Sequence, residues 1–256
     1  MMLEDPRNSR RVLVFLAFVV VSLVGLLLVP PLRQDQNYHD FADQRTILGI
    51  PYFWNVVSNL PFIAVGLAGF LQFRRNPAIA FLFLAITMTG FGSAYYHLHP
   101  NDHTLFWDRL PMAIGFMIIL AIAVEDRLDA RLGAILLWPL IAVGIFSILL
   151  WRWTGDLRLY GWVQFFPCLA LPVLFFLYAP KHSGTSYWLI AAVLYAVAKL
   201  FEFNDGLIYS FGSISSGHTL KHLAAAAACF AILRYFQTRQ PIQTSTETRD
   251  RRQQIA

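Results

Sequence analysis

Charge is scarce in this chain, and that scarcity decides its class. Only 14% of the 256 residues are Asp, Glu, Lys or Arg, against 57% hydrophobic. Soluble domains average about 25% charged and about 45–50% apolar, so a soluble globular enzyme and a disordered chain are both excluded. Cysteine is scarcer still. Cys168 and Cys229 are the only two, too few for a disulfide scaffold and without CxxC spacing; inside apolar runs such thiols act as small hydrophobes. A nucleic-acid partner is not expected either. The net charge of +5 reads as the Lys/Arg excess that membrane proteins carry on their cytoplasmic side.

What the chain has instead is long apolar blocks, and about 20 apolar residues suffice to cross a bilayer as a helix. Eight segments qualify, near 12–32, 52–72, 78–98, 105–125, 132–151, 159–179, 186–203 and 217–236. The first exceeds the h-region of about 7–15 residues of a signal peptide, and no A-x-A-like cleavage site follows it, so a retained helix is expected. The reading is therefore an all-α polytopic membrane protein with a seven-transmembrane-helix core and one extra N-terminal helix. Residues 1–51 comprise a cytoplasmic arm, that extra helix and an outer loop. Residues 52–236 form the core, and 237–256 are polar, without aromatics, and read as a flexible cytoplasmic tail.

Orientation follows from Lys and Arg. With the N-terminus inside, the inner loops and tails hold thirteen basic residues, among them Arg10, Arg11, Arg74, Arg75, Arg127, Arg131 and Lys181, and the outer loops only Arg33, Arg45, Arg152 and Arg158. This bias puts both termini in the cytoplasm. Basic inner loops without eukaryotic sorting signals point to a bacterial inner membrane.

Ionisable side chains inside membrane helices cost about 2.5–3.5 kcal/mol each on insertion scales, so their positions carry the information. Ser93 and His97 lie near the end of the third span, Asp108 near the start of the fourth, and His218 and His222 open the eighth. The topology puts all five at the extracytoplasmic end. Residues four apart on a helix differ by only about 40° in direction, so His218 and His222 share a face, as do Ser93 and His97. Three histidines fit a catalytic zinc, which keeps a fourth position for water. Asp108 beside that water would orient it and take its proton. Each part alone has a plainer reading: a hydrogen-bonded His97, or Asp108 as the buried partner of Arg109 or Lys221. Arg109 and Lys221 themselves are expected to snorkel to the interface, unless one attracts a lipid head group or a carboxylate product. Lys199 and Glu202, three apart, are expected to pair. His39, His99, Asp102, His103 and His182 read as loop residues, and Trp151, Trp153, Tyr160 and Trp162 as an interfacial aromatic belt.

In order along the chain, Phe53-Trp54-Asn55 with Ser58-Asn59, Gly92-Ser93 through His97, Asp108 with Leu110-Pro111-Met112, and His218 with His222 resemble the alkaline ceramidases. These are membrane amidases related to the adiponectin and progestin receptors. The resemblance covers about residues 50–236. It implies a seven-helix core with an intramembrane Zn2+ held by His97, His218 and His222, with Ser93 and Asp108 on the attacking water. It also implies hydrolysis of ceramide, a lipid of the bilayer, to a fatty acid and a sphingoid base. Three positions depart from the family pattern. Tyr52 stands where an acidic residue serves a calcium site, and Asp35, Asp40 and Asp43 are out of register, which argues against calcium. Arg109 replaces an acidic residue after the catalytic Asp, and Lys221 an aromatic before the last histidine, so both add positive charge beside the pocket.

Two other classes compete. A receptor or lipid-binding protein would hold zinc without turnover, and a transporter or haem protein would use the histidines as a relay or as axial ligands. Confinement of the charged groups to one leaflet argues against a relay. Gly90-Phe91-Gly92-Ser93-Ala94 lacks the GxSG of a rhomboid-type protease. Oligomeric state is left open.

Overall fold

The computed structural model describes residues 6–242; the last part of the expected tail, 243–256, lies outside the described residues. Helices α1 (Pro6–Leu28), α2 (Phe53–Val57), α3 (Leu60–Phe73), α4 (Pro77–Leu98), α5 (Asp102–Arg127), α6 (Ala130–Thr154), α7 (Arg158–Leu177), α8 (Thr185–Phe203), α9 (Asp205–Ser210) and α10 (Gly217–Thr238) follow one another, with no strand among the described residues. This is the all-α membrane fold expected.

Local chemistry sets the boundaries. α1 begins earlier than the 12–32 expected, at Pro6, and ends earlier because Pro30-Pro31 lack the N–H donors a helix needs and restrict Val29 before them. The expected span 52–72 is two pieces, broken at Ser58-Asn59, with Pro61 in the first turn of α3, where its missing N–H costs nothing. Side-chain oxygens cap four N-termini: Asn76 on α4, Asn101 on α5, Asp129 on α6 and Ser216 on α10. Such caps are worth about 1 kcal/mol each. Asp102 and His103 therefore open α5 rather than sit in a loop, and His99 ends α4.

Seven segments are long and apolar enough to cross a membrane: α1, α2 with α3, and α4 to α8. α10 has 22 residues but carries His218, Lys221, His222 and Arg234, which make it less apolar; packed against α8 and α3 inside the bundle, it completes the seven-helix core. α5 is the most enclosed span and touches α4, α6 and α7. α1 lies outside the core along α7, where Phe18 stacks on Phe166 at 5.6 Å and Trp162 donates to the Ser22 hydroxyl at 3.2 Å.

The segment between α1 and α2 folds back over one end of the bundle. Leu157 N–H donates to the Leu32 carbonyl at 2.8 Å. His39 meets the Tyr96 hydroxyl at 2.8 Å and Asp102 at 3.0 Å. His39 is thus a strut between this segment and the α4–α5 corner, not a free loop residue.

Candidate metal centre and its cavity

Three histidines meet under that segment. His97 comes from the last turn of α4, and His218 and His222 from the first turns of α10. Their ring centroids are 4.9, 4.9 and 4.8 Å apart. One ring nitrogen from each converges within 4.8 Å of the others, and all three residues are buried. The ring of Phe41 covers them, edge-on to His97 at 4.6 Å and to His218 at 4.4 Å.

The positions are built from below. At Gly217 a Cβ would strike the Phe201 carbonyl and come within 2.8 Å of the Asp205 Cα, so only glycine lets α10 start against the α8–α9 junction. Asp205 then accepts from His218 N–H at 2.7 Å and from Ala42 N–H at 2.9 Å. One carboxylate thereby pins both the histidine backbone and the covering segment. On the other side, Ser58 lies 2.8 Å from His222 Nδ1, and Thr219 donates to Asn55 Oδ1 at 2.8 Å. The break between α2 and α3 is what presents Ser58.

The donor set suits a metal ion. Imidazole nitrogens are common donors to zinc, and His97 Nδ1 is buried with no hydrogen-bond partner among the described residues. An unsatisfied buried polar atom costs about 1–3 kcal/mol, which coordination would relieve. Among the described residues the cluster has no fourth His, Cys, Asp or Glu, as in catalytic zinc sites and unlike closed structural ones.

Ser93 and Asp108, both buried, line the same cavity as His222. A Cβ on Gly92 would fall on the Trp107 carbonyl and 3.3 Å from Asp108 N. The missing side chain lets α4 and α5 close at this point, and Ser93 engages the Asp108 carboxyl. Asp108 makes no ion pair among the described residues: Lys221 is taken by Glu202 at 2.6 Å, and Lys199 pairs with the same Glu202. The pairing of Lys199 with Glu202 is the one expected; its extension to Lys221 is not.

Snorkelling is overturned for both cations. Arg109 is buried, and the Lys221 ammonium points inward, to Glu202 and to within 3.4 Å of His218 Nε2. The aromatic belt also needs correction, since Trp151 and Tyr160 are buried in the core while Trp153 is exposed. Their rings pack on the Arg109 guanidinium at 4.8 and 4.9 Å. At the opposite end of the bundle, His182 pairs with buried Asp126 at 2.5 Å.

Ser93, Asp108 and His222 face a cavity of about 870 Å³, within the range of ligand pockets. Its polar end carries Tyr38, Arg109, Glu202 and Lys221, and its body runs down to Phe175, Trp188 and Ile232 between α5, α7, α8 and α10. From Asp108 to Ile119 the wall extends about 16 Å along α5. Both cysteines line it. α7 and α8 scarcely touch along this wall, although Gln164 on α7 donates to the Tyr195 hydroxyl on α8 at 3.1 Å. Phe165 and Leu189 line the cavity and are exposed, which together with the sparse α7–α8 contact marks this wall as its weakest side.

Sequence reasoning missed Asp205 and gave Ser58 no role. A carboxylate just beyond Glu202 and a Ser-Asn pair ahead of Pro61 were the available signals.

Fold and site together define a polytopic membrane protein with a buried histidine cluster that meets a lipid-sized apolar cavity at His222. Residues 49–255 match the Ceramidase family, and the chain belongs to that family; α1 lies ahead of the matched stretch. Comparison with curated proteins finds no match. Membership supports a hydrolase acting on amide bonds, with a membrane lipid as substrate.

Proposed function

We propose that this protein is a zinc-dependent intramembrane hydrolase that cleaves the amide bond of ceramide-like N-acyl lipids, giving a fatty acid and a sphingoid base or amine. The observation that carries the reading is the convergence of three buried histidines, with no fourth protein ligand among the described residues, beside a cavity whose polar end holds Ser93 and Asp108. His97, His218 and His222 would hold the zinc, which when bound lowers the pKa of water to about 7 and polarises an acyl carbonyl.

The chain's own groups do the rest. Asp108 accepts the proton of the attacking water and returns it to the leaving amine as the C–N bond breaks, help typically worth about 10²–10⁴-fold. Ser93 hydrogen-bonds the water or the developing oxyanion. The acyl chain lies in the apolar body of the cavity, reached from the bilayer through the gap between α7 and α8. Phe41 keeps bulk water off the histidines.

The same reading divides the chain into an N-terminal arm and helix (1–51), a catalytic core (52–236) and a cytoplasmic tail (237–256). The Lys/Arg bias supports both termini in the cytoplasm, a site toward the extracytoplasmic side and a bacterial inner membrane. Tyr52 in place of the acidic residue and the Asp43 carboxylate held by Arg45 argue against a calcium site.

The test is zinc content and ceramide hydrolysis of the detergent-purified protein beside His222→Ala and Asp108→Asn. Wild type is expected to carry about one zinc and to turn over. His222→Ala should lose both, and Asp108→Asn should keep the metal but lose at least about 10²-fold in rate. Zinc bound without turnover would favour the receptor reading, and no metal in wild type supplied with zinc overturns the hydrolase.

A further inference from the structure

Arg109 carries a charge that amide hydrolysis does not use. The residue is only 6% exposed, lines the cavity, and its Nη1 has no hydrogen-bond partner among the described residues. Three rings fix the guanidinium in place: Tyr38 at 5.3 Å, Trp151 at 4.8 Å and Tyr160 at 4.9 Å. The Tyr38 hydroxyl also takes an N–H of the fork, while the ring faces attract the cation without accepting from Nη1. Neither nearby carboxylate forms an ion pair with Arg109 among the described residues: Glu202 is held by Lys199 and Lys221, and Asp108 acts on the guanidinium only through its charge. The polar end of the cavity thus holds three cations against two carboxylates, before any metal adds its charge.

A stacked guanidinium with an unpartnered Nη1, buried beside a lipid-sized space, is suited to meet a carboxylate or phosphate with a charge-assisted hydrogen bond. Its direction tells which part of the substrate it meets. Arg109 is turned about 100° around α5 from Asp108, toward Tyr38 in the covering segment and Tyr160 at the start of α7. That is away from the apolar body where an acyl chain would lie, and therefore on the amine side of the amide.

We propose that Arg109 is a specificity-determining residue, and that the substrates it selects are N-acyl lipids whose amine part bears an oxyanion close to the amide nitrogen. The proposal rests on the amidase reading for the placement of the amide, but it is tested by binding.

The probes are N-oleoylglycine and N-oleoylethanolamine, which share acyl chain and amide and differ in the carboxylate. Dissociation constants are measured by calorimetry on the full-length Asp108→Asn protein in detergent, where no turnover interferes. N-oleoylglycine should bind at least about tenfold tighter. Adding Arg109→Gln should abolish the difference, whereas Arg109→Lys, which keeps the charge without the fork, should retain part of it. Zinc content and melting temperature verify that each variant is folded, and Arg109→Lys carries the test if Arg109→Gln is not. Equal binding of the two probes, or a preference that survives Arg109→Gln, overturns the proposal. So does Arg109-dependent binding of oleate without preference for N-oleoylglycine, which would assign the subsite to the product carboxylate. Failure of the amidase reading is seen separately, as absence of hydrolysis of either probe by wild type while the binding preference persists.

Discussion

The Ser58 hydroxyl lies 2.8 Å from Nδ1 of His222 and 3.2 Å from the Asn55 carbonyl. A hydroxyl has one proton to give. With it donated to Asn55, Ser58 accepts from His222 Nδ1–H, which leaves Nε2 as the free lone pair facing the other histidines. Partners of this kind fix tautomer and ring angle and are typically worth 10–100-fold in metal affinity. Ser58→Ala is therefore expected to weaken zinc binding by roughly that factor, read by competition with a chelator of known affinity, and Ser58→Thr to restore most of it.

The Gly92–Trp107 contact is the closest approach of α4 to α5 at the site. In lipid, where apolar side chains gain little by leaving their surroundings, small residues at such crossings are what let helices associate. Gly92→Ala places a methyl on the Trp107 carbonyl and is expected to cost about 1–3 kcal/mol, seen as a lower melting temperature in detergent. Because the displaced backbone carries Asp108, activity should fall further than stability alone explains. An unchanged rate in the folded variant would show that Asp108 needs no such precision.

The spans were legible because each apolar run exceeds what a soluble core helix needs, and His218 with His222 because i, i+4 spacing puts them on one helix face. The joining of His97 to them is a tertiary fact that local pattern does not contain; the shared end of the helices and the order of motifs along the chain pointed to it. Arg109 and Lys221 failed for a different reason. A cation near a helix end can turn outward to head groups or inward to a cavity, and spacing is the same in both cases. What turns Arg109 inward is the pair of rings, Trp151 and Tyr160, brought by α6 and α7. The break at Ser58-Asn59 hid inside a continuous apolar stretch, where Pro61 alone hinted at a new helix start.

Asp43, in the segment that carries Phe41, ties pH to the cover over the histidines. Burial pushes its carboxyl up, but the Arg45 hydrogen bonds, at 2.8 and 2.6 Å, and the Arg45 charge outweigh it and hold it below the usual carboxylate range. Arg45 also donates to the Ile214 carbonyl at 2.9 Å, ahead of α10. A folded-state pKa that is depressed stabilises the fold above the ordinary carboxylate pKa of about 4, and this is lost as pH falls through the lower folded value. Asp43→Asn should therefore melt below wild type at pH 7, and the gap should close as the pH drops under about 4. A gap independent of pH would assign the effect to packing rather than charge.

The opening between α7 and α8 decides whether substrate arrives from the bilayer or from water. Ala196 sits on its α8 side, exposed and lining the cavity, and the loose contact between the two helices leaves room for a larger side chain. Ala196→Trp would fill that room far from the histidines, so zinc content should match wild type. For a long-chain ceramide in vesicles, kcat/KM should fall by about tenfold or more, since every productive encounter must cross the plugged gap and 1.4 kcal/mol of added barrier suffices for that factor. A short-chain N-acyl amine small enough to pass under the covering segment should lose much less. Equal losses for both substrates would mean that the tryptophan disturbs the site itself, and no loss for either would mean that lipid enters elsewhere, with the segment that carries Phe41 as the next place to look.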